Sequence, residues 1–67
     1  MQISARNQLK GRIKEVVLGT VMAEVVVDIG GQEVVAAITR RSAEGLGLKA
    51  GDAVTVLIKA TEVMIGK

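Results

Sequence analysis

Cysteine and histidine are both absent from this 67-residue chain, and each absence closes off chemistry. Without cysteine there is no disulfide and no thiolate ligand. Without histidine the commonest imidazole metal ligand is gone, and with it the usual general base. Phenylalanine, tyrosine and tryptophan are missing too. Small β-barrels that take up single-stranded nucleic acid stack bases on aromatic rings, and this chain has no ring to offer. No apolar run approaches the ~18 residues of a membrane span. Gln2 and Arg6 interrupt any apolar stretch of signal-peptide type, so a cytoplasmic location is expected and no membrane partner.

Acidic residues are present but scattered. Glu15, Glu24, Asp28, Glu33, Glu44, Asp52 and Glu62 fall on strand faces and turns, with no pair spaced as a metal site or an acid–base dyad. Ser4, Ser42 and the threonines have no histidine to activate them, and Lys59 comes without a nucleophile elbow or oxyanion signature. Catalysis is not expected, nor is a resident cofactor or a metal.

What the chain does have is apolar residues, 49% of the total, and a net charge of +2. A single domain this short buries only about 60% of the surface its unfolded chain exposes. It needs a disulfide, a metal or association with copies of itself. Association is the one left, and some of the apolar surface is expected to face other subunits.

The pattern is that of strands. Gln8–Leu18 is rich in β-branched residues and contains Gly11, which disfavours a helix. In a regular strand Leu9, Gly11, Ile13, Glu15 and Val17 share one side, with Lys10, Arg12 and Lys14 on the other. Val21–Ile29 places Ala23, Val25, Val27 and Ile29 on one face. Gly30-Gly31 can take the positive φ angles of a two-residue hairpin turn, and Glu33–Ile38 returns, apolar on both faces. Thr39 is an N-cap for a short helical turn with Ser42 three residues on. Ala53–Lys59 is a fourth strand, and Val63-Met64-Ile65 a short fifth. The expected fold is all-β: a small five-stranded OB-like Greek-key barrel with one short helical turn.

Three places gather hydrogen-bond donors with no acid at their centre: Ser4-Ala5-Arg6-Asn7, Thr39 to Ser42, and Lys59. Taken singly, each has an ordinary explanation: a loose polar terminus, a capped turn, a strand-end lysine guarding an edge. Their shared chemistry points to an anion. Lys10, Arg12, Lys14, Arg40 and Arg41 would carry the alternative, a small basic β-barrel that binds nucleic acid through phosphates.

Ser4-Ala5-Arg6-Asn7-Gln8-Leu9-Lys10-Gly11, the Ile38-Thr39-x-x-Ser42 segment and Lys59-Ala60-Thr61-Glu62-Val63-Met64 together resemble the molbindin family of single Mop domains. The resemblance implies that residues 1–67 form one molybdate-binding Mop domain with an OB-like barrel. It implies binding of molybdate or tungstate at subunit interfaces, for intracellular molybdenum storage and homeostasis. The implied oxyanion ligands are Ser4, Arg6, Thr39, Ser42, Lys59 and the Ala60 backbone, drawn from more than one subunit. The implied assembly is a homo-hexamer built as a trimer of dimers. Arg40 and Arg41 match no fixed position of the family.

Overall fold

Strand β1, Asn7–Leu18, is twelve residues long and serves two partners in turn. Its first half, Asn7 to Arg12, pairs antiparallel with β4, Ala53–Ile58; its second half, from Arg12 to Leu18, pairs antiparallel with β2, Met22–Asp28. In the computed structural model, which describes all 67 residues, β3, Glu33–Thr39, completes a four-stranded sheet in the order β3-β2-β1-β4. Three strands joined by hairpins, with a fourth returning beside the first, make the expected Greek key.

Sharing β1 between two neighbours requires it to bend, and the sequence provides for that at two adjacent points. A Cβ on Gly11 would lie 2.5 Å from the Asp28 carbonyl oxygen and 2.7 Å from Val27 Cγ1; only glycine lets β2 pass this close. Between Ile13 and Glu15 the register slips, leaving Lys14 as the extra residue of a β-bulge. The bulge also corrects the regular alternation expected of β1. Ile13 faces the core opposite Val27, but beyond Lys14 it is Val16, opposite Val25, that packs inward. Glu15 and Val17 turn outward, and Val17 is 47% exposed.

The β2–β3 hairpin turns at Gly30-Gly31, with φ of +94° and +93°. The Asp28 carboxylate accepts from the backbone N–H of both glycines, at 3.0 and 2.9 Å, and Ile29 N–H donates to the Gln32 carbonyl at 2.8 Å. Along β2, Ala23, Val25 and Val27 are buried, as the alternation predicts. Helix α1, Arg40–Gly45, follows β3 with Thr39 as its N-cap and tucks Ala43 into the core.

The core is Ile13, Val25 and Val27, with Val16, Ile38, Leu48, Val54 and Val56 packed around it. Only five of 67 residues are buried, none of them polar, which is little for a chain that stands alone. β3 and β4 do not pair with each other, so the sheet is a curled half-barrel. Its open side leaves an apolar cavity of about 330 Å³ lined by Ile13, Val25, Ile38, Leu48 and Val56.

The expected fifth strand is not one. β4 stops at Ile58, a 3₁₀ turn occupies Ala60–Glu62, and Val63-Met64-Ile65 pairs with nothing. A strand exists only where an edge receives its N–H and C=O groups, however β-prone its side chains are. Met64 and Ile65 are 92% and 90% exposed, so these two side chains pack on almost nothing in their own chain.

Candidate functional site

The last rung of the β1–β4 ladder joins Asn7 to Ile58. Arg6 precedes the first of these residues and Lys59 follows the second, so antiparallel pairing brings both cations to the same end of the ribbon. Ser4 and Ala60 flank them, and Ser4, Arg6, Lys59 and Ala60 are all exposed. Two side-chain amides tie the segment down. Asn7 Nδ2 donates to the Ile58 carbonyl at 3.1 Å, and Gln8 Nε2 donates to the Ala5 carbonyl at 2.6 Å. Lys59 enters the 3₁₀ turn with extended backbone, its carbonyl accepting from Glu62 N–H at 2.9 Å. The ion pairs of the chain are Lys14–Glu33 and Arg40–Glu44. Arg6 and Lys59 therefore share one end of the ribbon, and neither has a carboxylate within ion-pair distance.

Thr39 and Ser42 are in contact at the start of α1. Thr39 Oγ1 accepts from Ser42 N–H at 3.0 Å, the N-cap bond. It also donates to Ser42 Oγ at 2.7 Å. The Arg40 N–H donates to the Val21 carbonyl at 2.8 Å, so the backbone donors Arg40 N–H and Ser42 N–H are both engaged within the chain. The hydroxyl of Ser42 keeps its own proton free.

These two groups do not meet in one chain. Thr39 pairs with Met22, and Ala23 pairs with Leu18, which sets Thr39 at the C-terminal end of β1. Arg6 and Lys59 sit at its N-terminal end. The six sequence-predicted residues thus fall into two groups at opposite ends of the longest strand. The roles of Asn7 and Gln8 went unread in the sequence, although both lie inside the first motif. The only signal was an amide pair directly after the arginine.

Of the five basic residues of the nucleic-acid alternative, Lys10 and Arg41 are exposed without a side-chain partner and the other three are engaged within the chain. Lys14 is ion-paired with Glu33, Arg12 Nη1 donates to the Gly51 carbonyl at 3.2 Å, and Arg40 is held by the Gly19 carbonyl and Glu44. The hydrogen bond from Lys14 to Glu33, with the nearby carboxylate charge, raises the lysine pKa above its ordinary value. No three acidic side chains gather to hold a metal ion. No helix is long and apolar enough to cross a membrane.

Comparison with known proteins bears on this geometry. The TOBE domain model matches residues 3–65. Molybdenum-pterin-binding protein 3 of Clostridium pasteurianum is 53% identical over 66 residues, 97% of each chain. The solved structure of a molybdate binding protein from Sporomusa ovata superposes with a TM-score of 0.95 at 54% identity, covering 100% of both chains. The cytoplasmic molybdate-binding protein ModG, solved with molybdate bound, matches with a TM-score of 0.84 at 39% identity, over 90% of this chain and 43% of its own.

Proposed function

The chain belongs to the TOBE domain family, and from that premise we propose that it binds molybdate or tungstate for intracellular molybdenum storage and homeostasis. The observation that carries this reading is the unneutralised Arg6–Lys59 pair at the end of the β1–β4 ribbon. Two cations held together without a counter-charge suit a dianion. Arg, Lys and backbone N–H groups only donate, and a fully deprotonated oxyanion only accepts. The names of the relatives and the ligand bound in ModG agree with this chemistry. The role is binding, not catalysis, and cytoplasmic ModG supports the same location here.

The ligands in this reading are Ser4, Arg6, Lys59 and the Ala60 backbone from one subunit, with Thr39 and Ser42 from another. Their separation to opposite ends of β1 supports a site closed only between subunits. The meagre core and the bare apolar residues Val35, Leu46, Met64 and Ile65 support an obligate homo-oligomer; the hexamer, a trimer of dimers, is what the molbindin resemblance implies.

The test is calorimetric titration with molybdate, tungstate, sulfate and phosphate, together with a solution mass. The two metal oxyanions should bind well, sulfate more weakly and phosphate worst. Near neutral pH phosphate keeps a proton that needs an acceptor, and burying it unpaired costs about 1–3 kcal/mol. Sulfate's shorter bonds leave some donors out of reach. A stable folded monomer, or phosphate bound as tightly as molybdate, would overturn the reading.

A further inference from the structure

We infer that Asn7 is a positioning residue for the oxyanion: its side-chain amide locks the start of β1 onto Ile58 and so holds Arg6 beside Lys59 before any ligand arrives. The inference rests on the proposed function for its ligand, but its structural half stands without one.

Arg6 and Lys59 lie just past the final rung of the β1–β4 ladder. No backbone pairing holds them there, and like charges repel. No carboxylate bridges them. Left to itself, a strand end of this kind frays. Two amides, both directly after the arginine, oppose the fraying. Asn7 Nδ2 reaches across to the Ile58 carbonyl at 3.1 Å, adding a bond at the terminal rung. Gln8 Nε2 folds back to the Ala5 carbonyl at 2.6 Å and fixes the segment on the other side. Of the two, Asn7 alone ties the Arg6 segment to the strand that carries Lys59, and it is half-buried where Gln8 is exposed. Holding the cations in place before binding removes an ordering cost from the binding step.

The chemistry requires an amide. Aspartate has the same shape but, ionised, only accepts. It would lose the bond to Ile58 and put a carboxylate beside Arg6 and Lys59, where it would compete with the incoming anion. Alanine would lose the bond alone. Asn7→Asp should therefore do more harm than Asn7→Ala.

The experiment is a double-mutant cycle on the full chain, titrated with sodium molybdate: parent, N7A, R6A, N7A with R6A, and N7D. Loss of one neutral hydrogen bond predicts about three- to tenfold weaker binding for N7A. That loss should shrink below about twofold when Arg6 is already gone, because Asn7 acts through it. N7D should bind more weakly than N7A. Parent-like binding by N7A, or an equal loss in both backgrounds, would overturn the inference; the second result would mean a general effect on the fold. Amide hydrogen exchange over residues 3–8 of the ligand-free protein supplies the independent readout. Protection in the parent that is lost in N7A supports the clamp, and equal exchange in both overturns it. If the parent itself gave no heat with molybdate, the proposed function would fall and the exchange result would still decide the clamp.

Discussion

Thr39 Oγ1 donates its proton to Ser42 Oγ at 2.7 Å while accepting the Ser42 N–H at 3.0 Å. The two hydroxyls of this half-site therefore differ in role. In the ligand-free chain Thr39 turns its proton to Ser42 Oγ and fixes where that oxygen points; as a ligand it turns the same proton to the anion. Ser42 still has a proton to give.

Ser42→Ala should weaken molybdate binding about three- to tenfold, the worth of a neutral hydrogen bond, and leave stability almost unchanged. Thr39→Ala should weaken binding as well, and should in addition cost about 1 kcal/mol of stability through the lost cap. Titration and urea unfolding of the two variants would show whether the effects separate this way. A Thr39→Ala protein as stable as the parent would contradict the division.

Arg6→Ala and Lys59→Ala should each weaken oxyanion binding by one to two decades, since a charge-assisted hydrogen bond contributes roughly 1.5–3 kcal/mol. Both side chains are exposed, so the fold should survive either change. Arg12→Ala is the control, because its guanidinium faces the Gly51 carbonyl and not the half-site. Parent-like affinity in both of the first two variants would mean that the site lies elsewhere.

Gly11→Ala should destabilise the protein by about 1–3 kcal/mol, the usual cost of forcing extra volume into a packed place. The added methyl would meet backbone, the Asp28 carbonyl at 2.5 Å, which cannot swing aside as a side chain can. Gly30→Ala has open space around it and a φ of +94°, so its penalty comes from conformation alone. Thermal melts of the two variants, compared with the parent, would separate crowding from torsional strain.

The Lys14–Glu33 pair sets a small alkaline dependence. Glu33 raises the Lys14 pKa in the folded protein, so the folded state holds the proton more firmly than the unfolded chain. The pair's contribution is fully present below the ordinary lysine pKa and disappears as pH rises through the raised one. Both groups are exposed and screened, so the effect should be slight and weaken with salt. An NMR titration of Lys14 Nζ should show the raised value, and Glu33→Gln should return it towards normal. An unchanged titration in that variant would rule out Glu33 as the cause.

Four of the five expected strands were legible because alternating β-branched residues and glycine turns act locally. The facing of Val16 and Val17 was not, since a bulge at Lys14 leaves no mark in the pattern on either side of it. The fifth strand failed for a different reason. Val63-Met64-Ile65 has the propensity, but a strand needs an edge to pair with, and neither free edge of the sheet, β3 or β4, receives this segment. Within the site, donors without acceptors could be read from residue types alone. That Arg6 and Lys59 share one end of a ribbon depends on the register of two strands far apart in the chain. The hydrogen bond that the Thr39 hydroxyl gives to Ser42 is one that spacing permits but does not require.

Sharing β1 between a near neighbour and a distant one sets an order of assembly. β1, β2 and β3 are joined by short hairpins and can zip together as they appear, whereas β4 must close the longest loop in the domain to reach the start of β1. The meander should form first and the β1–β4 ribbon last. Pulse-labelled hydrogen exchange during refolding should protect the amides of β2 and β3 before those of β4, and simultaneous protection would contradict the order. The Asn7–Ile58 rung closes at the far end of that final ribbon. A nascent chain therefore carries its apolar meander before it has brought Arg6 to Lys59, and the cation pair proposed for the anion is the last feature the single chain acquires.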